Sequence, residues 1–177
     1  MDRGRLRQLL ERHEGALVRY AARLLGDVER GRDVVQETFL KLWREPPKGD
    51  EDDLGPWLFT VCRNLAFDVL RKERRMVLLK DDDALAAKAH EAAGAGGASG
   101  TGDAVAAALA GLPANQQEVL RLKFQNGLSY RDISRVTGLS ESNVGYLIHM
   151  GVKALRRSLA PSETSRAGKV SRKGGLK

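Results

Sequence analysis

The sequence predicts an all-α protein made of two small helical domains joined by a flexible linker. No segment alternates apolar and polar residues with the period of a strand, whereas apolar residues recur at helical spacing in both halves of the chain. Between the halves lies a stretch rich in Gly and Ala that lacks large apolar residues. Only 5% of the residues are aromatic, so we expect cores built on Leu, Val and Ala.

The composition of the chain limits the classes of protein to which it can belong. The chain has 177 residues, 42% hydrophobic and 30% charged, a balance typical of a folded chain. Its net charge of +7 favours a polyanionic partner, nucleic acid or an acidic membrane surface. No apolar run approaches the ~18–20 residues of a membrane helix, and the N-terminus has no signal-peptide pattern, so we expect a cytoplasmic location. The single cysteine, Cys62, cannot form an internal disulfide, which agrees with a reducing compartment.

The expected domain boundaries follow the change in composition. A segment without large apolar residues cannot bury enough surface to offset the entropy that it loses on ordering. A marginal helix over 84–93 is an alternative inside the linker. The prediction is an N-terminal domain over 1–80, a linker over 81–103, a C-terminal domain over 104–160 and a basic disordered tail over 161–177.

The stretch GRDVVQETFLKLWRE predicts a helix with one apolar and one polar side. Leu40 lies in the middle of the polar side. A single exposed leucine usually needs no explanation. Ringed by Asp33, Gln36, Glu37 and Arg44, it can also be the centre of a protein-docking patch with a polar rim, and the residues alone leave both interpretations open. The predicted apolar side comprises Val34, Val35, Thr38, Phe39, Leu42 and Trp43.

The stretch GPWLFTVCRNLAFDVLRKERR predicts a second long helix that begins near Pro56 and runs to about Arg75. Cys62 falls on its core stripe, where a buried small hydrophobe is expected. The other side combines amide, aromatic and arginine groups, which suit single-stranded nucleic acid because arginines hold phosphates and aromatic rings stack on bases. The alternative is a solvated face with one exposed phenylalanine. The candidate strand-binding residues are Trp57, Asn64, Phe67, Asp68, Arg71, Arg74 and Arg75.

The stretch SYRDISRVTGLSESNVGYLIHMGVKALRR predicts two helices around a tight turn. Ser129 and Asp132 have the spacing of a capping box, Gly138 can take the left-handed conformation that ends a helix, and Ser140 can cap the next helix. A preceding helix in LPANQQEVLRLKFQNG should support the pair, with Phe124 packed against it.

The second helix of this pair has a polar, moderately basic outer face that suits a major groove. An ordinary helical hairpin with a solvated face is the alternative. The outer face carries Ser142, Gly145, Tyr146, His149, Lys153 and Arg156.

Three pieces of the chain, DVVQETFLKLW, PWLFTVCRNLAFDVLRKERR and LPANQQEVLRLKFQNGLSYRDISRVTGLS, resemble in their order and spacing the small bacterial RNA polymerase sigma factors of the extracytoplasmic-function (ECF) group. The resemblance covers roughly residues 17–75 and 112–157. It implies that the first piece belongs to region 2 and binds the beta-prime clamp of core RNA polymerase. The implied contacts are Asp33, Gln36, Glu37, Phe39 and Leu40.

The same resemblance implies two contacts with promoter DNA. The second piece would capture the non-template strand of the −10 element through Asn64, Asp68, Arg71, Arg74 and Arg75. The third would be region 4, which reads the −35 element in the major groove. Core polymerase, including its beta subunit, and promoter DNA are therefore the expected partners. An anti-sigma factor, often tethered to the inner membrane, is a further expected partner.

One stretch departs from the family. Many members have basic and hydroxyl residues just after the valine that opens the reading helix, whereas this chain has Gly145-Tyr146-Leu147 there. The usual contacts cannot be carried over, so Ser142, Asn143, His149 and Lys153 become the better candidates.

Two other classes of protein are alternatives to a sigma factor, which has no enzymatic step of its own. A stand-alone repressor or activator would need an effector pocket or a dimerising helix, and the sequence has no long heptad run. A DNA enzyme would need a catalytic domain, and no α/β pattern precedes the reader. His13, His90 and His149 lack metal-ligand spacing with each other or with Cys62, so neither a metal nor another cofactor is expected.

Overall fold

The computed structural model describes residues 2–48, 53–80 and 101–160. These residues form seven α-helices and no strand, so the predicted all-α class is confirmed. Residues 81–100, which include the alternative helix over 84–93, and the tail over 161–177 lie outside the described residues. The helices are α1 (Arg3–Leu25), α2 (Val28–Arg44), α3 (Leu54–Lys80), α4 (Thr101–Ala110), α5 (Ala114–Phe124), α6 (Tyr130–Thr137) and α7 (Glu141–Leu159).

Helices α1, α2 and α3 form the N-terminal unit. An aspartate caps each of the first two helices: Asp2 accepts a hydrogen bond from the backbone of Arg5, and Asp27 accepts one from the backbone of Arg30. The three helices bury their apolar faces against one another because each has such a face on one side only. The largest fully buried side chains of this unit are Leu17, Leu42 and Leu58.

Helices α4 to α7 form the C-terminal unit, and the helix caps and the turn predicted for it are confirmed. Ser129 and Asp132 form the capping box of α6, and Gly138 ends that helix with φ 75° in the left-handed region. The side chain of Ser140 accepts from the backbone N–H of Asn143 and starts α7. Local signals therefore fix the angle between α6 and α7, with Ile133 fully buried between them.

Helix α4 begins within the segment that the sequence predicts to be linker. The predicted linker ends at residue 103, and the helix begins at Thr101. Its sequence, TGDAVAAALA, resembles a linker because it has few large apolar residues, yet alanine has the highest helix propensity. Leu109 anchors the helix by packing against the core.

Two aromatic side chains lie on the surface where the sequence predicted packing. Phe124 ends α5 and is 66% exposed, because the chain turns there and Leu128, 7% exposed, takes the buried position instead. Trp43, near the end of α2, was expected on the apolar side and is 43% exposed. In both cases the helix ends before its apolar face can be covered.

The two units contact each other: α3 packs against α6, and hydrogen bonds join α1 to Glu118 in α5 and to Gln125, the residue that follows α5. No helix among the described residues is both long and apolar enough to cross a bilayer.

Candidate polymerase and nucleic-acid interfaces

Helix α2 presents the first candidate site, which we call the Leu40 surface and define as Asp33, Gln36, Glu37 and Leu40. Leu40 is 40% exposed, although its neighbour Phe39 on the other side of the helix is buried. Asp33 and Gln36 are exposed and Glu37 is half-buried. The surface is therefore a small apolar centre with a polar and acidic rim, which is the anatomy of a protein-docking patch.

Phe39 does not belong to this surface. The resemblance implied that it contacts polymerase, but its side chain is only 5% exposed and is part of the hydrophobic core. A side chain that is already packed has almost no area left to offer a partner. Phe39 supports Leu40 from below, and we correct its assignment to a packing residue.

The second candidate site, the strand face, lies along α3. Most of its members share one open side of the helix, and Phe67 is 37% exposed there. Trp57, at the start of the helix, is only half-exposed because it lies in a hollow bordered by Pro47, Thr60 and Arg135. The exposed members are Asn64, Phe67, Asp68, Arg71, Arg74 and Arg75.

Charged side chains organise the strand face. The guanidinium of Arg63 lies 4.6 Å from the centre of the Phe67 ring, which orients the ring by a cation–π contact. Asp68 accepts a hydrogen bond from Arg71 at 3.0 Å. Arg74 and Arg75 extend the positive charge toward the end of the helix, so phosphates can lie beside a ring that stacks on a base.

The third candidate site, the reading face, lies on α7, where the predicted residues are confirmed as exposed. Tyr146 is 60% exposed at the centre of the face. Val144, Leu147 and Ile148 on the opposite side are buried and hold the helix on its unit. The exposed members are Ser142, Asn143, Tyr146, His149, Lys153 and Arg156.

Tyr130 extends the reading face and was missed by the sequence reasoning. It is 42% exposed, and Lys123 lies 5.3 Å from the centre of its ring. A β-carbon built on Gly145 would lie 3.6 Å from the same ring, so Tyr130 sits beside the start of α7. The pairing of α6 with α7 brings the two tyrosines to one surface, which helical periodicity within either helix does not show.

Cys62 is a core residue, as predicted. Its side chain is 0% exposed, and burial raises the pKa of the thiol to about 12, although a hydrogen bond with Thr38 opposes the shift. A thiol that stays protonated reacts slowly with oxidants because the thiolate is the nucleophile. Within the described residues, no group of three or more His, Cys, Asp or Glu side chains is arranged to hold a metal ion.

Together, a helix-turn-helix and a separate helix with an aromatic and arginine-rich face define a DNA-binding transcription protein with two nucleic-acid surfaces. Residues 9–76 match the family model of sigma-70 region 2, and residues 102–155 match that of sigma-70 region 4. The two matches fall on the N-terminal and C-terminal units, respectively.

Two ECF RNA polymerase sigma factors are similar to the chain over most of its length. The chain is 34% identical over 156 residues to the ECF RNA polymerase sigma factor SigL of Mycobacterium tuberculosis, with 87% of this chain and 88% of the relative covered. It is 25% identical over 143 residues to the ECF RNA polymerase sigma factor SigM of Bacillus subtilis, with 77% and 83% covered.

Solved structures agree with the sequence relatives. The sigma factor RpoE of Bartonella quintana, solved in complex with the anti-sigma factor NepR, superposes with a TM-score of 0.65 at 27% identity, covering 86% of this chain and 95% of that one. CnrH, solved with the cytosolic domain of CnrY, gives a TM-score of 0.57 at 27% identity, with 91% and 92% covered. The chain belongs to the ECF sigma factors of bacterial RNA polymerase, which bind the core enzyme and direct it to promoters.

Proposed function

We propose that the three surfaces divide the work of promoter recognition among them. The Leu40 surface docks on the beta-prime clamp, the strand face holds the non-template strand of the −10 element, and the reading face enters the major groove of the −35 element. The observation that carries this assignment is the exposure of Leu40, Phe67 and Tyr146 on three separate helices whose opposite sides are buried.

The protein acts by binding, with no chemical step of its own. Opening the duplex exposes bases, and a base that stacks on an aromatic side chain recovers about 1–3 kcal/mol. Phe67, with Arg63 beside it, is the aromatic side chain on the open part of the strand face, and Trp57 is a second one at its edge. Single-strand capture therefore lowers the free energy of the melted promoter relative to the closed duplex.

We place the domain boundaries at 1–80 for region 2 and at 101–160 for region 4, with the connecting segment over 81–100. The cytoplasm is the expected site of action because core polymerase and promoter DNA are there. An anti-sigma factor is the proposed regulator, since RpoE of Bartonella quintana was solved with one. Such a protein would hold this chain inactive, and a membrane-tethered one would keep it at the inner membrane.

Binding to core polymerase tests the proposal directly. The native protein should co-elute with core enzyme and support transcription from a cognate promoter. Leu40→Asp places a charge in the centre of the docking patch and should weaken co-elution by at least tenfold. Val28→Asp is the matched control, because Val28 is 52% exposed on the same helix but lies about 18 Å away along its axis.

If the protein were instead a stand-alone regulator, the opposite results would be expected. Such a protein would bind a specific duplex tightly without polymerase and would be indifferent to Leu40→Asp. If Leu40→Asp and Val28→Asp co-elute with core enzyme equally well, the assignment of the Leu40 surface is wrong.

A further inference from the structure

Gly145 leaves a recess in the reading face. It lies near the start of α7 and is half-buried, although it has no side chain of its own. Apart from its chain neighbours and the backbone of its own helix, a β-carbon built on Gly145 would meet only Tyr130 among the described residues, at 3.6 Å from Cε2 and 3.9 Å from Cδ2. These are ordinary van der Waals distances, so the position has room for a methyl group beside the Tyr130 ring.

Two exposed tyrosine rings flank this position, which we call the Gly145 recess and define as Tyr130, Gly145 and Tyr146. Tyr130 comes from the start of α6 and is 42% exposed. Tyr146 is 60% exposed and lies about 100° farther round α7 than Gly145. Because a tyrosine side chain has an apolar body and a polar tip, the recess has apolar walls on a helix face that is otherwise polar and basic.

The ring of Tyr130 is held in place from two directions. Nζ of Lys123 lies 5.3 Å from the centre of the ring, and the same atom donates a hydrogen bond to the carbonyl oxygen of Leu128 at 3.2 Å. The backbone just before Tyr130 is fixed by the capping box of Ser129 and Asp132. A wall that is already ordered loses little conformational entropy when a ligand arrives, so the recess is preorganised on this side.

The fold does not require a glycine at the recess. Gly145 is helical and is not among the glycines with positive φ, and a glycine inside a helix is less favourable than an alanine. Gly151 on the same helix differs, because its β-carbon would lie 2.7 Å from Cδ1 of the buried Leu120. Packing therefore explains Gly151 but not Gly145. A glycine that the chain's own packing does not need is typical of a place where a ligand approaches the backbone closely.

The major groove offers one group that fits an apolar recess of this size. Thymine displays a methyl group on its C5 atom there, whereas cytosine has only a hydrogen at C5 and the purines display nitrogen and oxygen atoms. The methyl group matches the recess in size and in polarity. Arg131 and Lys153 are exposed on the same pair of helices and can hold backbone phosphates, which position a reading helix without reading the sequence.

We propose that the Gly145 recess binds the methyl group of a thymine in the −35 element, which makes Tyr130 and Gly145 specificity-determining residues together with Tyr146. The ring carbons of the two tyrosines contact the methyl group, and the missing side chain of Gly145 lets α7 approach the base closely. The inference rests on the proposed function, in which the reading face enters the major groove, and it names the group on the DNA that this face selects.

Selection from promoter duplexes with a randomised −35 element tests the inference with the full chain bound to core polymerase. The native protein should enrich thymine at one or more positions of the element. At such a position, deoxyuridine lacks only the methyl group and should bind about fourfold more weakly than thymine, the factor expected for one buried methyl group. At the same position, 5-methylcytosine should bind better than cytosine by a similar factor, because both comparisons remove the methyl group alone.

Three variants locate the methyl contact. Gly145→Ala fills the recess at an ordinary contact distance, so it should fold normally and bring the ratio of thymine to deoxyuridine affinity to about one. Tyr130→Ala should lower this ratio, whereas Tyr130→Phe keeps the ring and should preserve it. Phe124→Ala is the control, because it removes a ring that is 66% exposed on α5, outside the recess, and should keep the native ratio. Circular dichroism checks the helix content of every variant.

The outcomes separate this inference from the proposed function. A selected −35 element without thymine, or a native ratio of thymine to deoxyuridine affinity near one, would overturn the inference and leave the reading face as the −35 reader. A native ratio retained in both Gly145→Ala and Tyr130→Ala would overturn it as well, and a ratio lost in Tyr130→Phe would assign the contact to the hydroxyl instead. If polymerase binds but no −35 sequence is selected, the proposed role of the reading face fails and the inference fails with it.

Discussion

Gly31 of α2 lies directly against the backbone of Ala22 in α1. A β-carbon built on Gly31 would meet the backbone nitrogen of Ala22 at 2.8 Å and its α-carbon at 3.0 Å. Real β-carbons essentially never approach that closely, and a backbone cannot rotate away as a side chain can. The crossing of α1 and α2 thus depends on the absence of a side chain at Gly31. The orientation of the Leu40 surface depends on it as well.

Replacement of this glycine should destabilise the N-terminal unit. Gly31→Ala forces α1 and α2 apart and should lower the free energy of unfolding by about 1–3 kcal/mol, as overpacked cores do. Gly15→Ala is the control, because Gly15 is exposed on α1 and its added methyl group meets only the far end of Arg19 at 3.4 Å. It should stabilise by about 0.5–1 kcal/mol. Urea denaturation measures both, and equal stability of the two variants would show that the crossing can relax.

Phe67 should contribute to single-strand binding through stacking. Phe67→Ala should weaken binding of a −10 single strand to the polymerase complex by about 1–3 kcal/mol, roughly 5- to 150-fold. Met76→Ala removes a side chain of similar apolar character that is 57% exposed on the opposite side of α3, and should change little. Fluorescence anisotropy of a labelled strand measures the difference. Equal losses in the two variants would remove Phe67 from the strand face.

Lys153 and Tyr146 should affect duplex binding in different ways. Lys153→Gln should weaken binding to all sequences alike and reduce the slope of log affinity against log salt by about 0.9, if the lysine contacts one phosphate. Tyr146→Ala should leave that slope unchanged and alter the preferred −35 sequence, because its ring can reach base edges. Selection from a promoter library, with salt titrations of both variants, distinguishes the roles. An unchanged selected sequence in Tyr146→Ala would contradict base readout.

His13 should make stability depend on pH. It is half-buried on α1 against Gly55, and burial, with a smaller effect of Arg12, lowers its pKa below the usual 6.5. The unfolded chain therefore takes up the proton first as pH falls, so the contribution of His13 is fully present above about pH 6.5 and is lost below it. His13→Gln should reduce the fall in melting temperature between pH 7 and pH 5.5. An unchanged fall in melting temperature in His13→Gln would contradict this account of His13.

Much of the fold could be predicted because local signals encode it. The capping box at Ser129, the left-handed Gly138 and the cap at Ser140 are each set by residues within a few positions, and all three are confirmed. Helix α4 was partly assigned to the linker because its alanines carry helix propensity without the large apolar residues that mark a core. Phe124 and Trp43 were expected to pack because they fall on the apolar sides of their helices. Helical periodicity does not show at which residue a neighbouring helix stops covering that side.

The candidate sites were likewise predictable where local patterns determine them and not where distant residues meet. Exposure of Leu40, Phe67 and Tyr146 follows from their helix faces, so the sequence was enough to predict it. The contact of Glu118 with Tyr20 and Arg63 joins residues 98 and 55 positions apart, and no pattern within one helix reports such a pair. Phe39 was misassigned because a family role was carried to a position whose burial only the packed helices reveal.

The reading face and the start of the strand face are not equally open, which affects the order in which they can bind DNA. The outer side of α7 is open, whereas Trp57 and Thr60 at the start of α3 line one hollow with Arg135 of α6. On the proposed assignment, the molecule can sample duplex DNA before it can accept an unpaired base. Binding to duplex DNA would then be reversible, and melting of the promoter would follow it. The protein could therefore leave a wrong promoter before any base pair is opened.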